Sequence, residues 1–179
     1  MLISISGTPG TGKTTIARLL SKKLRASLID TRFLVKKYNI KTSLDKKRKT
    51  RVIDTKKLAA AAKKEAKNKK LVIFEGHLSH LVHADLTVIL RTSPAEIKRR
   101  LKKKGWSRKK IRENVEAEAI GVISAETKNG IEIDTTKKSP KNVASIIIKL
   151  LKNRPVKRKR IDWIKEYTKY LEKIDPKDV

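Results

Sequence analysis

The stretch Gly7-Thr8-Pro9-Gly10-Thr11-Gly12-Lys13-Thr14 satisfies the pattern G-x-x-x-x-G-K-[ST] in full. Few short patterns constrain a fold so tightly, because this loop needs a buried strand to deliver it and a helix to receive it. Both are present. Leu2, Ile3 and Ile5 lie in an apolar run of strand length, and Ile16, Leu19, Leu20 and Leu24 then recur at helical spacing. The chemistry accounts for the residue types. Glycines let backbone N–H groups turn inward around phosphate oxygens, and the helix N-terminus adds its partial positive charge. Gly10, Thr11, Gly12, Lys13, Thr14 and Thr15 are therefore the candidate nucleotide-binding residues. Lys13 is suited to reach the β- and γ-phosphates and the Thr14 hydroxyl to ligate Mg²⁺, so ATP and Mg²⁺ are the expected cofactors.

Apolar runs at 27–30, 71–74, 86–90 and 131–134 supply four further strands, with helical patterns at 14–24, 55–69, 94–103, 108–127 and 140–152. Asp54, the Ser93-Pro94 pair and the Ser139-Pro140 pair are helix-start signals. Strands alternating with helices predict an α/β fold of the P-loop NTPase type, three α/β/α layers around a five-stranded parallel sheet. The domain spans 1–152, and a basic linker with a C-terminal helix occupies 153–179. Ile161, Ile164, Leu171 and Ile174 are the expected apolar face of that helix.

The third apolar run ends in Glu75-Gly76-His77, the Walker B arrangement of a buried strand tipped by an acid. Such an acid lies beside the P-loop, where it holds the Mg²⁺ water shell or activates a nucleophile. Lys13, Glu75, His77 and Arg91, the last at the tip of the fourth run, are the catalytic candidates, and Thr14 and Glu75 the metal candidates. His77, His80 and His83 recur every third residue, but a chain with no cysteine offers nothing else in support of a metal cluster there. Residues 31–53 are basic and only patchily apolar, which reads as a mobile substrate-binding insert rather than a core element. Residues 102–112, with Lys102, Lys103, Lys104, Gly105, Trp106 and Arg108, read as a basic lid closing over transferring phosphates.

Charge is the second constraint. Lys and Arg total 47 against 18 acids, a net charge of +29. A nucleotide enzyme needs only a few cations around its phosphates. A Lys-rich thermophilic composition raises Glu together with Lys, and Glu does not rise here. The excess points instead to a polyphosphate partner, RNA above all, whose counterion release drives association. The basic tetrad Lys157-Arg158-Lys159-Arg160 reads either as a nucleic-acid clamp, which the overall charge favours, or as a solvated connector. No run of about 18 apolar residues occurs, so no membrane span is expected. The opening segment reads as a strand rather than a signal peptide, and a cytoplasmic monomer is the simplest expectation.

Taken together, Gly7 to Thr14, Glu75-Gly76-His77, Leu90-Arg91-Thr92 and the run Lys104-Gly105-Trp106, Lys110-Ile111, Glu113-Asn114, Glu116-Ala117-Glu118 resemble one family. It is the atypical adenylate kinases of the isoenzyme-six type, the small-ribosomal-subunit assembly ATPases of eukaryotes and archaea. The resemblance covers the chain to about residue 150. It implies an adenylate-kinase-like fold with a small AMP-binding insert near 30–53 and a short lid near 103–113. It also implies phosphoryl transfer from ATP to AMP with ATPase activity alongside, and a partner in a platform ribosomal protein of the universal S-eleven type during late rRNA maturation of the pre-ribosomal small subunit. Glu75 stands where the family usually has Asp, and Lys104 where it has Arg, with Arg108 or Arg112 nearby to supply a planar contact. Lys36, with Arg32 beside it, stands for an Arg of the AMP insert, so Asp30, Arg32 and Lys36 are the monophosphate candidates and Lys104 and Arg108 the lid cations. Two alternatives stand beside it: an ATPase switch for ribosome assembly with little kinase role, which can hold together with the kinase reading, and a kinase acting on polynucleotide ends, which the nucleotide-sized insert at 30–53 favours less.

Overall fold

A computed structural model of the chain describes residues 1–45, 50–152 and 159–172. The strand that leads into the P-loop, β1 (Leu2–Gly7), is buried at every residue and lies in the middle of a five-stranded sheet. The other strands are β2 (Ser27–Asp30), β5 (Val72–Glu75), β6 (Leu86–Arg91) and β7 (Ile131–Asp134), in spatial order β2-β5-β1-β6-β7 and parallel throughout. Strands covered on both faces read as continuous apolar runs, which is how they show in the sequence. Register brings the strand ends together: Ile5 pairs with Glu75, Asp30 with Glu75, and Gly7 with Leu90. Loops leaving the carboxyl ends on either side of β1 therefore face one crevice, the place where open α/β sheets bind ligands.

Helices cover both faces. On one, α1 (Lys13–Leu24) and α7 (Pro140–Lys152) bury Ile16, Leu20 and Ile147 against Ile3, Ile5, Val88 and Leu90. On the other, α2 (Thr31–Lys37) and α3 (Thr55–Ala66) bury Leu34 and Leu58 against Phe74. Each such side chain contributes about 1.5–3 kcal/mol by leaving water. Asp54 caps α3 by accepting from the Lys57 N–H at 3.0 Å, and Ser139 caps α7 through the Asn142 N–H at 3.2 Å, both as the sequence predicts. A third cluster joins α4 (Pro94–Lys103) to α5 (Arg108–Ala119) through Ile97, Leu101, Ile111 and Val115. No helix among the described residues is long and apolar enough to cross a membrane.

Three expectations need correction. Residues 31–53 are not irregular: α2 is followed by an antiparallel hairpin, β3 (Thr42–Asp45) and β4 (Thr50–Ile53). Asp30 nucleates α2 by accepting from the Phe33 N–H at 2.7 Å, and fully buried Leu34 anchors it. The helix predicted over 108–127 is two, because Gly121 adopts φ +68° and separates α5 from α6 (Val122–Glu126). The C-terminal helix, α8 (Ile164–Leu171), turns a different face inward: Ile164 and Leu171 are 54% and 46% exposed, whereas Tyr167 and Tyr170 pack against the α4–α5 cluster and Trp163 is buried. Ile174, together with Lys157 and Arg158 of the basic tetrad, lies outside the described residues.

The joint between α2 and α3 rests on one acid. Glu65, 6% exposed, accepts from Tyr38 Oη at 2.8 Å and Lys69 Nζ at 3.0 Å and is paired with Lys37. The hydrogen bonds from Lys37 and Lys69 outweigh burial and bring its pKa down to about 2 from 4.5. A carboxylate depressed in the folded state contributes stability above its unfolded pKa, and that contribution is lost as pH falls through the folded value. Glu65→Gln is therefore expected to lower the melting temperature by about 4 °C at neutral pH. Followed by circular dichroism, its difference from the wild type should close as pH falls from 4.5 towards 2; a difference independent of pH would exclude this source of stability.

Candidate nucleotide site

The P-loop turns where the sheet leaves no room for a side chain. A Cβ on Gly7 (φ +145°) would lie 2.5 Å from the Leu90 carbonyl oxygen, so β1 and β6 close up at this point only with glycine. Beyond it the turn is built around one carbonyl. Thr8 O accepts from the Thr11 N–H at 3.2 Å, from Thr11 Oγ1 at 2.8 Å and from Lys13 Nζ at 3.1 Å. Gly12 takes a left-handed conformation (φ +94°) as α1 begins, which lines Lys13, Thr14 and Thr15 along the first turn.

Lys13 carries the principal positive charge of the loop. Burial lowers its pKa to about 8 against the raising influence of Glu75 and Glu118, and Lys104 adds to the lowering. An ammonium in that state is short of compensating negative charge, and phosphate oxygens are what a P-loop offers it. Thr14 Oγ1 donates to Glu75 Oε1 at 3.1 Å, so helix α1 and the tip of β5 bring two oxygen ligands together. Oxygen donors from one hydroxyl and one carboxylate fit Mg²⁺, which takes few protein ligands and completes its shell with phosphates and water. His77 lies just beyond, open to solvent at the cleft mouth. Partial desolvation, then the Lys13 cation and His80, hold its imidazole below the ordinary value and favour the neutral ring.

Beside the loop is a cavity of about 740 Å³ lined by Gly10, Thr11, Gly12, Thr15, Arg99, Arg100, Lys104, Thr135, Thr136 and Pro140. Its size and its place against the P-loop suit the nucleoside part of a bound nucleotide. A second cavity, about 930 Å³, lies around His80, His83, Leu86 and Glu126 at the amino ends of β6 and β7. That places it away from the loop. His80 uses both ring nitrogens there, Nδ1 with Ser6 Oγ at 3.0 Å and Nε2 with Glu126 Oε2 at 2.7 Å, and no metal-binding cluster is present among the described residues.

The segment between α4 and α5 is shorter than the 103–113 predicted for a lid. Only residues 104–107 connect α4 to α5, with Gly105 at φ +72°, and Lys104 is exposed on this turn while Arg108 begins α5. On the opposite side of Glu75, Asp30 spends its carboxylate on capping α2, and Arg32 and Lys36 stand four residues apart on the exposed face of that helix.

Arg91 is the clear departure from its predicted catalytic role. It is 2% exposed, and its guanidinium is fully engaged. Nε donates to Glu118 Oε1 at 2.8 Å and Nη2 to the Glu118 carbonyl at 2.8 Å. Nη1 donates to Ser124 Oγ at 2.7 Å, Glu132 Oε2 at 2.9 Å and the Ile161 carbonyl at 2.9 Å. A guanidinium so used braces the fold behind the loop. Sequence reasoning also missed Arg100, which donates to Gly10 O and to Thr135 O, each at 3.1 Å, while Glu96 accepts from its Nε at 2.7 Å. The Glu96–Arg100 spacing, one helical turn before the lid, is the signal that marks it. Thr135 and Thr136, just past the end of β7, are legible only from the rule that strand ends line the crevice.

Comparison with known proteins agrees with this architecture. A family model described as "AAA domain" matches residues 3–121. A protein of Methanocaldococcus jannaschii named "Putative adenylate kinase" is 39% identical over 172 residues, spanning 96% of this chain and 97% of its own length. A protein of the same name from Pyrococcus furiosus is 42% identical over 174 residues, with 93% of each chain covered. Among solved structures, shikimate kinase from Bacteroides thetaiotaomicron superposes with a TM-score of 0.59 at 17% identity, over 86% of this chain and 99% of that one. Deoxyadenosine kinase from M. mycoides with bound dATP gives 0.54 at 19% identity, over 86% of this chain and 100% of that one. At such identities these two establish the P-loop kinase fold alone. The chain belongs to the AAA-domain family of P-loop nucleotide-binding proteins and, within it, to the archaeal group that bears that adenylate kinase name.

Proposed function

We propose that the protein is a Mg²⁺-dependent adenylate kinase that transfers the γ-phosphoryl group of ATP to AMP and also hydrolyses ATP. The observation that carries this reading is the half-buried, under-compensated Lys13 ammonium beside the Thr14–Glu75 oxygen pair, on the floor of a cleft with a nucleoside-sized cavity on one side and the cationic face of α2 on the other. Lys13 and the P-loop amides hold the β- and γ-phosphates. Thr14 and Glu75 would hold Mg²⁺, which neutralises charge on the phosphate oxygens when bound. Lys104 and Arg108 approach the transferring group from the lid turn, and Arg32 and Lys36 hold the monophosphate. His77, neutral at physiological pH, orients a water or the acceptor by hydrogen bonding. Positioning and electrostatics suffice for phosphoryl transfer, and no covalent intermediate is required.

Incubation with Mg-ATP, with and without AMP, tests this. Rapid ADP formation only with AMP present is the expected result; ADP and free phosphate at one rate, indifferent to AMP, would reduce the fold to an ATPase. Lys13→Ala should lower transfer at least about a hundredfold. Joint replacement of Arg32 and Lys36 by Ala should raise KM for AMP about tenfold and leave KM for ATP within about twofold.

The net charge of +29 favours a second layer of function. In this reading, ATP turnover drives release from a ribosomal partner, the S-eleven-type platform protein or small-subunit rRNA, in the cytoplasm. Lys56, Lys57, Lys63 and Lys64 on α3 and Lys159 and Arg160 ahead of α8 supply exposed or partly exposed cations for such a contact. Binding to isolated small subunits should be detectable at low salt and fall steeply as salt rises. Indifference to subunits at moderate salt would remove this layer and leave the kinase standing.

A further inference from the structure

Glu118 is a carboxylate where an anion-binding loop would not be expected to tolerate one. It is 2% exposed, on the inner face of α5, and its Oε2 accepts from Thr8 Oγ1 inside the P-loop at 2.5 Å. Oε1 accepts from Arg91 Nε at 2.8 Å and from the Thr92 N–H at 2.9 Å. An unpaired negative charge this close to bound phosphates would repel them, and a buried unpaired carboxylate is costly in itself. Arg91 eases both objections, because its guanidinium lies against Glu118 and is closed off from solvent, although Glu132 draws on the same cation. What remains is a paired but still anionic acceptor, close enough to act on the Lys13 ammonium and aimed at the loop.

Thr8 is the residue on which the loop turns. It is 4% exposed, and its hydroxyl donates to Glu118. Its carbonyl holds Thr11 twice and Lys13 once. Fixing the Thr8 side chain fixes the plane of the peptide that holds Lys13. We propose that Glu118, paired with Arg91, is a positioning residue for nucleotide binding, holding the P-loop in its phosphate-accepting shape through the Thr8 hydroxyl. The arrangement also ties α5, the helix that leaves the lid turn, to the phosphate site. The inference rests on the kinase reading only so far as the loop binds ATP.

Affinity for Mg-ATP, measured by calorimetry on the full chain well below the melting temperature, provides the test. Thr8→Val keeps the shape and deletes the hydroxyl, whereas Thr8→Ser keeps the hydroxyl. Thr8→Val is expected to weaken Mg-ATP binding about tenfold at unchanged stoichiometry, the loss of one charge-assisted hydrogen bond, and Thr8→Ser to restore most of it. A purely structural contact would lower the melting temperature and leave the affinity of the folded fraction alone. Glu118→Gln added to Thr8→Val should cost little further affinity. Wild-type affinity in Thr8→Val, a Thr8→Ser as weak as Thr8→Val, or full additivity with Glu118→Gln would each overturn the proposal. If Glu118→Gln does not fold, the Thr8 pair decides. Transfer from ATP to AMP by the wild type is scored separately: its absence overturns the kinase reading and leaves the affinity series to decide Glu118.

Discussion

β1 has neither a solvent face nor a free edge, and the P-loop and the strand-tip acid Glu75 are registered to it. Its six residues are buried, β5 lies on one side and β6 on the other. The strand therefore cannot shift without breaking two ladders and exposing Ile3 and Ile5. That immobility is passed to the loop that follows. Glu75 is set by pairing with Ile5, and the start of the Arg91–Thr92 turn by pairing of Gly7 with Leu90. A loop binding phosphate through backbone N–H groups works only if those groups hold still, and a central parallel strand is the most constrained support a sheet has.

Acids are scarce here, and they sit where the fold needs them. Against 47 cations, 18 acidic residues do little to neutralise the surface. Glu65 joins α2 to α3, Glu96 holds Arg100 against the P-loop, and Glu118 and Glu132 share Arg91. Glu132 also accepts from the Ile161 N–H at 2.8 Å, so a single ion-pair network fastens the P-loop, α5, β7 and the C-terminal segment together. In a chain that repels itself over most of its surface, such internal neutralisation is what allows cations to crowd the cleft.

What the sequence made legible follows from the range of the interactions involved. The five strands and the loop are written locally, as contiguous apolar runs and one motif, and the structure has them. The helix α2 was missed because it carries one deeply buried residue, Leu34, too few for a period, and its capping Asp30 looked like a substrate ligand. The break at Gly121 was hidden inside an otherwise good helical pattern. In the C-terminal helix the aliphatic residues suggested one face, but Trp163, Tyr167 and Tyr170, at i, i+4 and i+7, form the stripe that packs inward. Arg91 was misread for a different reason. Its partners stand 27 and 41 residues away along the chain, so only the folded chain could reveal that a strand-tip arginine is already spoken for.

The packing of α4, α5 and α8 limits how the segment between α4 and α5 could act as the proposed lid. Ile97, Leu101, Ile111 and Val115 form the seam between α4 and α5, and the α8 tyrosines lie across it. Prising the two helices apart would return four aliphatic side chains to water at about 1.5–3 kcal/mol each, well above what one lid cation gains from a phosphate. Helices so joined move as one body or not at all. Closure of the proposed lid over a nucleotide would then fall to the turn at 104–107, where Gly105 has a positive φ and nothing within 4 Å of its Cβ position. Lys104 is the cation best able to use that freedom, because a point charge on a flexible stem can follow a phosphate without a fixed fork geometry. A lysine where the resemblance leads one to expect arginine thus suits the proposed lid, a single exposed turn between two joined helices.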